Sequence, residues 1–251
     1  MVSRLIRIAA VGACLASPVT SMAGDAGSEW QQTAFVYGMG AALDGEAQVG
    51  AVVVPVDLSM SEMFDALEFG AMAAYRADNG TWSFTGDATF MALGGSGRTE
   101  RDRLQATLDV DQLTLMATVG RRLSEHVEAL FGFAYLSLSA DLRVRSTSGE
   151  LVDLARGREA SWVDPTVGLQ FNRPLGRDWR LNLRADVGGF GLGSDLLVHA
   201  LANVRWQLTE AVGVVFGYRY IGFDYEEGQG LGYEHFELSE QGPLIGVSFS
   251  F

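Results

Sequence analysis

Apolar and polar residues alternate singly along most of this chain. Trp82, Phe84, Gly86, Ala88, Phe90 and Ala92 share one parity, and Ser83, Thr85, Asp87, Thr89 and Met91 share the other. A period of two marks a strand whose two faces meet different surroundings. The pattern recurs over Val163–Phe171, Trp179–Val187 and Val212–Tyr220. It recurs again over Leu196–Leu208, where Leu197 and Leu201 break into the polar parity. Leu104–Arg122 and Val127–Arg145 each predict a strand near twenty residues long.

Short segments with turn chemistry separate these runs: Asp78-Asn79-Gly80, Leu123–His126, Leu175–Asp178 and Leu208–Ala211. Tyr75, Trp82, Phe171, Trp179 and Trp206 lie within a few residues of one such turn or another. A soluble sandwich or a lipocalin-like barrel also alternates, but neither gathers tryptophan at one rim. An interfacial girdle does, because the ring is apolar at one end and hydrogen-bonds at the other. The expectation is an all-β chain, a transmembrane antiparallel up-and-down β-barrel.

With the short turns on the periplasmic side, walking back from the C-terminus gives strands near 232–251, 211–226, 194–208, 178–190, 161–174, 127–145, 104–122, 81–93 and 67–78. Thr33 to about Leu43 makes about ten, an even number, with both termini periplasmic. The outer loops then fall at 94–102, 146–160, 190–194 and 227–233. Residues 44–66 form the first outer connection, in which Val49–Val56 extends the first strand or makes its own hairpin. Ser59–Leu67 reads as one short helix in that connection. Twelve strands is the alternative, reached by splitting Ala47–Val56 and breaking the last strand at Gly242-Pro243.

The N-terminus adds a compartment. Arg4 and Arg7, the apolar run Ile8–Val19 and the small residues Ser21 and Ala23 make residues 1–23 a secretory signal, leaving 24–251 as the barrel domain. Cleavage removes Cys14, the only cysteine, so disulfides and cysteine-based zinc sites are excluded. All 18 basic residues are arginine against 31 acids, a net charge of −13 that argues against nucleic acid. The chain closes on Ile245, Val247, Phe249 and Phe251 in alternation. Such an ending resembles the final strand of bacterial outer-membrane barrels, which the barrel-assembly machinery reads.

Four stretches carry a family resemblance: Trp162–Leu169, Arg184–Asp195, Gly217–Tyr220 and Gly242–Phe251. With the short helix before Glu68-Phe69-Gly70, they resemble a family of proteobacterial outer-membrane β-barrel proteins of uncharacterised role. The resemblance implies the barrel and the outer membrane of a Gram-negative bacterium, and it carries over no activity.

The polar parities place Asp87, Asp164, Arg180, Arg184, Asp186, Asp195, His199, Arg205 and Arg219 in the lumen. In a narrow barrel side chains fill the interior, and buried charges there must be paired. Arg184 is expected to be flanked by Asp164 and Asp195 on the neighbouring strands. The same residues suit two roles, a structural network or a polar lining for small solutes. Porin-like passage is the leading functional expectation, and a non-conducting structural or surface-interaction barrel is the alternative. A lipid-modifying enzyme is the third class. Against it, His126 falls in a turn, and Ser239 stands four strand residues from His235, roughly 13 Å at the rise of a strand. No phosphate-loop or metal-protease motif occurs, and neither cofactor nor metal is expected. Gly188–Gly193 reads as a tight outer turn. Arg98, Arg101 and Arg103, with Glu100 and Asp102, form an outer loop suited to solvent or to lipopolysaccharide phosphates. The expected partners are outer-membrane lipid and lipopolysaccharide, with the barrel itself a monomer.

Overall fold

The computed structural model describes residues 29–49, 52–98, 104–146, 154–228 and 233–251. The signal segment and residues 99–103 lie outside them. The strands are β1 (Gln31–Met39), β2 (Ala42–Val49), β3 (Val52–Leu58), β4 (Leu67–Asp78), β5 (Trp82–Arg98) and β6 (Leu104–Arg122). They continue as β7 (Val127–Ser146), β8 (Leu154–Pro174), β9 (Trp179–Gly189), β10 (Leu196–Gln207), β11 (Val212–Glu227) and β12 (Glu234–Ser250). One helix, α1 (Met60–Ala66), precedes β4.

Ten antiparallel staves close on themselves in the order β1, β4 through β12, with β12 returning to β1. Closure runs from Thr33↔Ser250 to Met39↔Leu244. Beyond it, the Phe251 amide donates to the Gln32 carbonyl at 3.0 Å. Among the described residues the stave count is therefore the ten that crossing parity predicts. The expected ambiguity over residues 44–66 resolves as a hairpin. Strand β2 carries the first stave onward past Gly40-Ala41, pairs with the outer half of β12, and turns back as β3. Strand β12 is not broken at Gly242-Pro243. It changes partner there, from β2 to β1, and a Cβ on Gly242 would lie 1.8 Å from the Gly40 carbonyl oxygen. Only glycine lets the two backbones approach so closely at this branch.

Two outer connections differ from expectation. Strand β5 runs on to Arg98 and β8 begins at Leu154, so pairing intrudes on the loops expected at 94–102 and 146–160. Backbone hydrogen bonds continue there after the apolar alternation stops, because no single face needs to be apolar outside a bilayer.

The faces are inverted relative to a soluble protein. Phe133 is 61% and Ile245 59% exposed on the outside, whereas Asp164 is wholly buried inside. A hydrogen-bonded cylinder with this outward face suits hydrocarbon, where every backbone group must be satisfied within the protein. At the short-turn end the rings of Trp179 and Trp206 stack at 5.4 Å, and Trp30 packs on Phe84 at 5.5 Å. The Arg121 guanidinium sits 4.7 Å over the Trp82 ring.

The wall is incomplete over part of its outer half. Strand β1 pairs with β4 only from Tyr37↔Met72 to Gln31↔Asp78, and β3 pairs only with β2. The edge of β3 and the Leu67–Ala71 segment of β4 therefore share no ladder. Helix α1 closes the seam with side chains. Its Met63 is buried with Ala41, Met72 and Met91. Ser59 caps the helix in a capping box with Glu62, whose carboxyl these hydrogen bonds hold below the usual range.

Candidate functional site: the barrel lumen

Alternation decides which side chains enter the lumen, and strand register decides which of them meet. At the short-turn end, Arg76 on β4 bonds Glu128 on β7 at 2.8 Å and Asp78 at 2.6 Å. Arg122 on β6 reaches the same Asp78 at 2.9 Å and Glu128 at 3.2 Å. The Ser83 hydroxyl completes this cluster by donating to Glu128 at 3.1 Å. Sequence reasoning missed all five residues. The period-two rule places them on the inward parity, but they stand next to turns, where solvated ends are the ordinary reading.

Further in, Arg219 on β11 crosses the lumen to Asp87 on β5, Nη1 to Oδ1 at 3.1 Å. The Tyr37 hydroxyl on β1 accepts from Arg219 at 2.8 Å and donates to Asp87 at 2.6 Å. Three staves are tied through one guanidinium. Beside it, Gln112 donates to the buried Glu240 at 3.1 Å.

Arg184 and Asp186 meet, but not in the expected way. Arg184 Nε donates to Asp186 on its own strand at 2.6 Å, and the His199 ring nitrogen Nδ1 lies 2.9 Å from the same carboxylate. His199 and Asp186 are direct cross-strand partners, and all three side chains are buried. The expected flanking acids are elsewhere. Asp164 accepts from the Ser194 amide at 2.6 Å, the Ser194 hydroxyl at 2.7 Å and the Trp162 indole at 3.1 Å. It anchors the outer turn and makes no contact with Arg184. Asp195 is not in the lumen. It is exposed in that turn, its amide bonded to the Asp224 carbonyl at 2.8 Å. Parity does not carry through Gly189, Phe190 and Gly191, whose φ angles are 88°, 56° and 71°. Ser194 takes the inward position in its place.

Arg180 and Arg205 do face inward, at the short-turn mouth. They are direct cross-strand partners, Arg180 exposed and Arg205 half-buried, and neither has an ion pair among the described residues.

The outer half of the lumen is apolar. Met116, Ala134, Leu136, Ala160, Trp162, Leu197, Ile221, Phe223 and Tyr225 form one buried cluster. Trp162 stacks on Tyr225 with ring centres 4.1 Å apart. Leu197, which breaks the polar parity of its strand, belongs to this cap. A cavity of about 10 Å³, the room of about one water, lies beside Arg219 and Glu240 and is also lined by Thr89, Thr114 and Ile221.

The side chains of Ser239 and His235 take separate partners. His235 Nε2 lies 3.0 Å from Asp224 Oδ1, and Ser239 donates to the Asp44 carbonyl at 3.4 Å.

Fold and lumen together define a transmembrane β-barrel, closed at ten staves and packed inside. No family model and no curated protein matches the chain. Among solved structures it is similar to the outer membrane protease OmpT from Escherichia coli. That match has 10% identity over 89% of this chain and 97% of that one, with a TM-score of 0.49. It is also similar to Ail, the attachment invasion locus protein of Yersinia pestis, in complex with the heparin analogue sucrose octasulfate. Here the values are 11% identity, 88% and 98% coverage, and a TM-score of 0.41. A third match is the Ralstonia pickettii toluene transporter TbuX, at 8% identity, 90% coverage of each chain and a TM-score of 0.37.

Proposed function

We propose that the protein is an outer-membrane barrel of a Gram-negative bacterium whose lumen is a packed plug, acting as a structural or surface-interaction element. The reading rests on one observation: side chains along the lumen are buried. Asp164, Asp186, His199, Arg219, Glu240 and Leu197 all have relative exposures of 4% or less. Residues lining a hydrated path would instead be wetted, as in porins. Carboxylates and guanidiniums in such a space hold only when paired, and the paired geometry fits a structural network.

Lipid of both leaflets would contact the outward face. The assembly machinery would read Ile245, Val247, Phe249 and Phe251, which project outward with exposures of 37% or more. Porin-like passage is the competing reading, and planar-bilayer recording of the refolded protein separates the two. A silent membrane at saturating insertion is the expected result. Stepwise conductance of the unmodified protein would overturn the proposal in favour of a solute path.

A further inference from the structure

Among the described residues, the lumen arginines Arg76, Arg122, Arg184 and Arg219 are matched to acids, and two others are not. Arg76 and Arg122 share Asp78 and Glu128, Arg219 holds Asp87, and Arg184 holds Asp186. Arg180 and Arg205 are the two left over. They stand opposite each other on adjacent strands, on the same face, in a chain with an excess of acids. Like charges placed directly opposite destabilise a sheet. The nearest acids in sequence, Asp178 and Glu210, lie in the flanking turns and pair with neither.

Neutral donors and acceptors surround the pair. Asn182 donates to Asn172 at 2.7 Å and Asn203 to Asn182 at 3.3 Å, which forms an amide row across β8, β9 and β10 just above it. On the other side, the Ser248 hydroxyl of β12 is fully buried and has no hydrogen-bond partner. Gly213 brings the two together. A Cβ there would lie 2.8 Å from Ser248 Oγ and 3.3 Å from Arg205 Cγ, so the Ser248 hydroxyl and the Arg205 stem both pack against this glycine. Two guanidinium forks without carboxylates, opposite each other on adjacent strands, are suited to a tetrahedral oxyanion.

We infer that Arg180 and Arg205 form an anion site at the short-turn mouth of the lumen, for phosphate or a phosphate ester. The site is independent of whether the lumen conducts. At the periplasmic end, the phosphate comes either free in solution or on the headgroup of an inner-leaflet phospholipid.

The test is thermal unfolding of the refolded chain in zwitterionic detergent, with inorganic phosphate titrated against chloride at fixed pH and ionic strength. A parallel titration uses dioctanoyl phosphatidic acid. A saturable rise in melting temperature is expected in at least one titration. A rise with phosphatidic acid alone assigns the lipid headgroup, and a rise with inorganic phosphate assigns the free anion. Arg180→Gln should raise the half-saturating concentration about tenfold, the loss of one charged hydrogen bond. Arg180→Glu gives Arg205 an acid of its own. It should melt higher than the unmodified protein in chloride and lose the response altogether. No rise in either titration, or an undiminished rise in Arg180→Glu, would overturn the site.

Discussion

Replacing Arg219 by methionine is the most direct test of the packed lumen. The guanidinium joins β11 to β5 across the interior and accounts for one of the two hydrogen bonds that hold the Tyr37 hydroxyl. Methionine keeps most of the stem volume, so the perturbation is chiefly one of charge. It leaves Asp87 with the Tyr37 hydroxyl as its remaining side-chain partner. Breaking a buried ion pair from one side costs about 3–5 kcal/mol. The Asp87 side chain is 18% exposed and retains Tyr37, which puts the expected loss near the lower bound, about 3 kcal/mol. That is about a hundredfold in the folding equilibrium. Adding Asp87→Asn removes the stranded charge, so the double variant should regain about 1–3 kcal/mol over the sum of the singles. The assay is equilibrium urea unfolding of the refolded barrel in lipid vesicles, followed by tryptophan fluorescence and by heat-modifiable migration. In a hydrated lumen, water would screen the pair and the loss would stay under about 1 kcal/mol. A loss that small, with no coupling to Asp87→Asn, would refute the reasoning.

Asp164→Ala strips the Ser194 amide and hydroxyl of their acceptor, so the outer turn at residues 190–195 should become sensitive to protease added to intact cells, while the unmodified turn stays resistant. Cysteines introduced at Leu192 and at Arg177 should differ in labelling by an impermeant maleimide on intact cells. Leu192→Cys should react and Arg177→Cys should not, and the reverse would invert the orientation. Removing Phe251 takes away both the closing hydrogen bonds to Gln32 and the outward terminal ring. Heat-modifiable barrel in the outer membrane should fall several-fold, and wild-type abundance would falsify the terminal-signal reading.

The staves were legible in the chain because a bilayer imposes one requirement on every strand, an apolar residue at each outward position. Trp82–Ala92 and Trp179–Val187 state that requirement without exceptions, and their strands lie where alternation puts them. What alternation does not encode is partner choice. Arg184 is long enough to reach two residues along its own strand, so Asp186 wins it from Asp164. Asp195 departs from the expected parity because three residues of positive φ separate it from the alternating part of β9. The apolar cap is not legible from a rule that makes every inward position polar. The departures were visible at Leu197 and in Ile221, Phe223 and Tyr225, which continue the inward parity of β11 with apolar residues. Periodicity does not report the hairpin of β2 and β3, because Val49–Val56 is apolar on both parities.

The seam beside α1 has a consequence for the girth of the cylinder. A ring of hydrogen-bonded staves has a fixed circumference, since changing it means breaking a ladder. The inner half of this barrel is such a ring. In the outer half, the arc from β3 round to β4 is bridged by Met63 and its apolar neighbours, with no ladder across it. One end of the molecule is therefore held at constant diameter. At the other end, a change of girth at this seam would break no ladder between β3 and β4, and would be opposed by side-chain packing.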